Sequence, residues 1–159
     1  MRVNSFLRYW LPVLIWLGVI FVGSSDLMSA EHTSRFIGPF LRWLIPDIAP
    51  ASIAAVQLAV RKTAHLTEYA ILAALMLRAL RGEASRVRWP QGAMAFALAA
   101  TFAAFDEYHQ SFIASRTGSP FDAIIDATGA ALGLVLYWIA TRTTPKACVR
   151  ATPKIRSSK

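Results

Sequence analysis

Long apolar runs separated by short polar connections organise this chain, and their lengths decide what they can be. From Phe6 to Gly23 the residues are almost all apolar, and the stretch from Tyr9 to Ser25 carries no charge. The hydrocarbon core of a bilayer takes about 20 mostly apolar residues in a helix, so this run is long enough to cross with modest tilt. A signal peptide is the rival reading, with Arg2 before the run and Gly23, Ser24 and Ser25 after it; the uncharged length favours a span. Tyr9, Trp10 and Trp16 suit the headgroup boundary. Three further spans are predicted at about Lys62 to Leu80, Trp89 to Phe105 and Phe121 to Thr141. The last follows Gly118-Ser119-Pro120, which reads as a helix start: Ser119 as N-cap, Pro120 at the first helical position and Asp122 placed to close a capping box. Between Asp26 and Arg61, Pro39, Pro46, Pro50 and scattered charges divide apolar pieces too short to cross. That segment is expected to be a surface loop, with Phe36, Phe40, Trp43 and Leu44 lying in the headgroup region.

The pattern predicts an all-α integral membrane bundle of four transmembrane helices over residues 1–141, followed by a basic tail over 142–159 expected to be disordered. Composition supports this, because 55% hydrophobic against 16% charged is too apolar for a soluble domain. A net charge of +8 could suggest nucleic acid, but the basic residues form no stripe beside stacking aromatics, and no nucleic-acid partner is expected. They set topology instead. Arg2 and Arg8, then Arg78, Arg81, Arg86 and Arg88, then the six from Arg142 to Lys159 place twelve of the seventeen basic residues on one side. Basic residues are retained in the cytoplasm, so both termini are expected there. The single Cys148 excludes an intrachain disulfide and a multi-cysteine metal cluster.

Chemistry enters through depth. Only nine uncharged residues run from Tyr69 to Leu77 and fifteen from Ala127 to Thr141, so the second and fourth spans must take Lys62, His65 and Glu68, or Asp122 and Asp126, into the outer part of the membrane. Charges there face the bundle interior, pair, and mark function. Helical spacing puts Lys62, His65 and Tyr69 on one face and Asp122, Asp126, Gly129 and Gly133 on one stripe, whose glycines admit a closely packed helix of this chain or of a second copy. An oligomer through Gly129 and Gly133 is therefore open. Asp106 and Gln110, with Glu107 and His109 beside them, close the outer end of the third span.

Lys62-x-x-His65-x-x-x-Tyr69, Asp106-Glu107-x-x-Gln110, Arg116 and Asp122-x-x-x-Asp126-x-x-Gly129-x-x-x-Gly133 together resemble the signature of the VanZ-like family, with Ser24 and Ser25 at its small polar position after the first span. The family more often carries Asn where Asp126 stands. The resemblance implies a multi-pass protein of the bacterial cytoplasmic membrane, in a family named for a member associated with resistance to the glycopeptide antibiotic teicoplanin; it implies no established reaction.

Three functions compete. Lys62 and Arg116 can attract phosphate or carboxylate while His65, Tyr69, Asp106, Glu107, Gln110, Asp122 and Asp126 hold polar groups, giving a binding site for a lipid headgroup or cell-wall precursor at the outer leaflet. Alternatively His65, Asp106 or Glu107 performs acid–base catalysis on a lipid-linked or envelope substrate, although no nucleophile elbow is present. A metal set drawn from His65, His109, Asp106 or Glu107 lacks strict ligand spacing, so no metal or cofactor is expected. Or the charges only lock helix register. Against a lock, the acids of the cluster outnumber its bases by at least two, which calls for carboxylates that hold protons or for a missing cationic ligand. Four short spans without a continuous polar stripe do not build a monomeric pore.

Overall fold

In the computed structural model, residues 3–25, 30–84, 86–112 and 119–143 are described. Asp26, Arg116, Gly118 and the basic tail beyond Thr143 lie outside them, as do the side chains of Glu31 and His32. The described residues form five helices and no strand: α1 (Val3–Ser24), α2 (Ala30–Leu44), α3 (Pro50–Arg81), α4 (Trp89–Gln110) and α5 (Pro120–Thr143).

The segment expected as a loop is helical. α2 spans Ala30–Leu44, and α3 starts at Pro50, twelve positions before the predicted span. The cause is local. Pro50 stands at the first position of α3, where its missing N–H is no loss, and the Ala-rich stretch after it holds neither Pro nor Gly before Gly82. Gly82, at φ +55°, ends the helix with its N–H on the Arg78 carbonyl. In α2, Phe36, Phe40, Trp43 and Leu44 recur at helical spacing and are all exposed, while the helix packs on α3 through the Gly38 and Ile53 region. The helix thus carries an apolar stripe turned away from the bundle.

α3 is the central element and touches the other four helices, α5 most extensively. The reason for that contact is the glycine stripe. A Cβ at Gly129 would lie 2.9 Å from the Leu66 Cα, and one at Gly133 would lie 2.7 Å from the Ala70 Cα. Of the two arrangements open from sequence, the structure has the packing within the chain. α4 presents its own small stripe, with Ala95, Ala99 and Ala103 all fully buried. Tyr69, Leu72, Ala73, Met76 and Leu77 of α3 fill the centre with Val13 and Ile20 of α1.

The bundle is apolar outside as well. Leu14, Ile15 and Phe21 on α1, Phe105 on α4 and Ile124 and Leu136 on α5 are all at least half exposed. Two helices, Phe6–Ser24 and Pro120–Arg142, are long and apolar enough to cross a membrane. At one end Arg8 and Arg78 stand over the Tyr9 ring, at 5.8 and 5.6 Å, and Arg81 over the Tyr137 ring at 5.5 Å. The start of α1 and the ends of α3 and α5 therefore share that basic end. Trp16, expected at the headgroup boundary, lies midway along α1, where its indole N–H donates to the Glu68 carbonyl at 2.9 Å.

Candidate functional site

The opposite end, where α1 and α4 finish and α5 begins, collects the polar residues. Each arrives there by helical register. Glu107 continues the spacing of Ala95, Ala99 and Ala103, so the face that buries the alanines also buries this carboxylate, which is 6% exposed. Asp126 stands one turn before Gly129 and Ala130 on the face of α5 that meets α3, and is fully buried. His65 lies one turn before Tyr69 on α3.

Three groupings result. Lys62 pairs with one oxygen of Asp122, while Arg61 reaches the other at 3.7 Å. In the second, Ser24 Oγ donates to Asp106 Oδ2 at 2.7 Å, and Gln110 Nε2 donates to the same oxygen at 3.0 Å, tying α1 to α4. The third lies between them. His65 Nδ1 is 3.4 Å from Asp126 Oδ1, and donor atoms of His65, Asp126 and Glu107 all lie within 4.8 Å of one another. Here polar capacity goes unused, since both Asp126 oxygens, Glu107 Oε1 and His65 Nδ1 are buried without a hydrogen bond. The Tyr69 hydroxyl is likewise buried without one.

The start of α5 differs from expectation in one bond. Ser119 does cap the helix, its Oγ accepting the Phe121 N–H at 3.3 Å. Asp122, however, does not close a capping box. The Ser119 N–H donates instead to Glu107 Oε2 at 2.8 Å, because the cations of α3 draw the Asp122 carboxylate to themselves. A carboxylate from α4 thus completes the cap of α5 and fixes the two helices together.

A chain with these groupings, on this spacing and between glycine-packed helices, is matched by one family model, described as VanZ/LLP1, over residues 9–141. The chain belongs to the VanZ/LLP1 family. No match is found among curated proteins or among solved structures. For this VanZ/LLP1 chain, membership and two strongly apolar helices point to a membrane protein.

Most of the candidate residues meet at one end, but not as a single cluster. His109 is exposed and lies tilted against Phe21, with ring centroids 5.5 Å apart, so it stands apart from His65. Arg61, not singled out from sequence, is a partner of Asp122; its place next to Lys62 was the available signal. The link from Glu107 to Ser119 had no sequence signal, because it depends on how α4 and the start of α5 meet.

The double hold on Asp122 predicts unequal costs. Asp122→Asn leaves two facing cations and should destabilise the protein by about 2 kcal/mol, whereas Lys62→Met leaves Arg61 in place and should cost under about 1 kcal/mol, since this pair is partly exposed. Thermal unfolding of the two variants in the same detergent measures the difference, and equal losses would show that Arg61 does not share the carboxylate.

Proposed function

We propose that this VanZ/LLP1 protein crosses the bacterial cytoplasmic membrane four times, through α1, α3, α4 and α5, with both termini cytoplasmic. In this reading the polar end faces outward and binds an anionic lipid headgroup or a lipid-linked cell-wall precursor. Length supports it: the 32 residues of α3 extend about 48 Å at 1.5 Å each, more than a hydrocarbon core of about 30 Å. The excess, from Pro50 to about Arg61, would emerge beside α2 with its aromatic stripe at the headgroups. The arginines at the other end, Arg78, Arg81 and Arg142, fit the cytoplasmic side.

The observation that carries the binding reading is a cavity of about 860 Å³ between α1 and the first half of α3. Ile15, Val19, Val22 and Leu58 make its walls apolar, and Arg61, His65 and Glu68 add polar groups to the α3 side of the lining. An acyl or prenyl chain suits such walls, and a phosphate or carboxylate suits the guanidinium among them. The protein would thereby shield or sequester an envelope component, which is how it would alter sensitivity to teicoplanin.

Native mass spectrometry of the purified protein tests the binding directly. Wild type should retain phosphatidylglycerol in preference to phosphatidylcholine about tenfold, and Arg61→Gln should lose that preference; equal retention of both lipids by wild type would overturn the reading. In a sensitive host at matched membrane levels, wild type should lower teicoplanin susceptibility and surface binding, and Glu107→Gln or Arg116→Ala should not.

A second reading rests on one observation. His65 beside Asp126, with Glu107 in reach, is the arrangement of a histidine base oriented by a carboxylate. It would make the same end an acid–base catalyst acting on the bound lipid-linked component, and release of a product from that component by wild type but not His65→Ala distinguishes it.

A further inference from the structure

We propose that His65, Glu107 and Asp126 form a binding site for a divalent transition cation of the zinc or manganese class. The inference stands apart from the lipid reading, because it rests on the buried centre between α3, α4 and α5 and not on the cavity beside α1.

Unmet charge is the first ground. Asp126 is fully buried and Glu107 nearly so, yet both oxygens of the first and one of the second accept no hydrogen bond. Burying ionised carboxylates in that state is costly. The neighbouring cations are already committed to Asp122, through Lys62 and Arg61, and Ser24 and Gln110 to Asp106; the Tyr69 hydroxyl is buried without a partner but carries no charge to offset the carboxylates. His65 can offset one negative charge when protonated. A divalent cation bound by a neutral imidazole offsets both.

Size is the second ground. The crevice between α3 and α5 lined by Arg61, Lys62, His65, Asp122, Ile125 and Asp126 has no room for a water-sized molecule. On that side Asp126 is closed to any group of water size or larger. The third is donor geometry. Ligand atoms at about 2.0–2.2 Å from a tetrahedral zinc stand roughly 3.4 Å apart. His65 Nδ1 and Asp126 Oδ1 are already separated by 3.4 Å, and the whole set lies within 4.8 Å. Small side-chain rotations close the remainder.

The donor set also selects the ion. One imidazole nitrogen with two carboxylate oxygens suits zinc or manganese, while calcium and magnesium prefer oxygen alone. The Ser119 N–H on Glu107 Oε2 is the kind of outer hydrogen bond that orients a ligating carboxylate. Three protein ligands leave a fourth position, and His65 also lines the large cavity, so a ligand entering from that side could complete the coordination. No spacing motif announces the site because each ligand comes from a different helix.

The test uses the full chain purified in detergent, stripped with EDTA, reloaded with zinc or manganese chloride and freed of excess metal. Elemental analysis should find about one ion per wild-type chain, with a thermal midpoint raised by metal and lowered again by EDTA. Glu107→Gln keeps an acceptor for the Ser119 N–H and so should fold while holding less than a tenth as much metal. Asp126→Asn and His65→Ala should lose it equally, and the exposed His109→Ala should not. Cobalt in place of zinc should give the visible absorption of a four-coordinate site in wild type and His109→Ala but in none of the three ligand variants. Less than a tenth of an ion per wild-type chain, or full retention by folded Glu107→Gln, would overturn the proposal.

Discussion

Gly133→Leu should prevent α5 from docking on α3 and lose the folded protein, the largest effect of any single substitution outside the polar end. The Cβ alone would lie 2.7 Å from the Ala70 Cα and closer still to its carbonyl oxygen, and backbone atoms cannot rotate away. The helices would have to part by about 1 Å or more, opening the contact along its length. Overpacking against side chains costs about 1–3 kcal/mol; against two backbones the cost should exceed about 3 kcal/mol. Gly129→Leu should do the same against Leu66. Gly92→Ala is the control, since nothing lies within 4 Å of its Cβ position, and a helix gains about 1 kcal/mol from the exchange. Monodispersity and the thermal midpoint in detergent read all three, and a Gly133→Leu protein as stable as wild type would mean that α3 and α5 do not pack at this distance.

The same glycines show why part of the fold could be read in advance. Gly129 and Gly133 continue the register of Asp122 and Asp126, so a single period of helix places two acids and a close contact on one face, whatever the partner. Which helix fills that face is a tertiary matter, and only the structure names Leu66 and Ala70. The start of α3 escapes the apolar pattern for a different reason. Arg61 and Lys62 interrupt the apolar run, and three prolines crowd the region before it, so an argument from membrane-crossing length stops at residue 62. Helix propensity does not stop there: the residues from Ala51 to Val60 favour helix, and Pro50 is a start signal in its own right. Phe36, Phe40, Trp43 and Leu44 likewise held a helical period that the prolines masked. In the site, helix faces bring most of the candidate residues to one end, but their division into three groupings does not follow from the sequence. Ser24 with Asp106, and Glu107 with Ser119, are contacts between elements whose approach no local pattern encodes.

Whether the buried centre works or only locks the helices can be decided by removing its charges together. His65→Met alone leaves Asp126, which has no solvent exposure, without its imidazole neighbour; removing one partner of a buried pair costs about 3–5 kcal/mol. The double variant His65→Met with Asp126→Leu removes the stranded charge and replaces the pair with apolar groups of comparable volume. Such exchanges are often neutral or stabilising, so the double variant should unfold within about 1 kcal/mol of wild type. Its function should not return with its stability. On the envelope-binding reading proposed above, protection of a sensitive host against teicoplanin should stay lost at membrane levels equal to wild type, because the imidazole that lines the cavity and the carboxylate beside it are gone. Full protection by the stable double variant would reduce the pair to a helix lock and leave Arg61 and the cavity between α1 and α3 as the working part. Restored stability with lost protection would assign the two buried residues to the function and separate that role from their part in holding the fold.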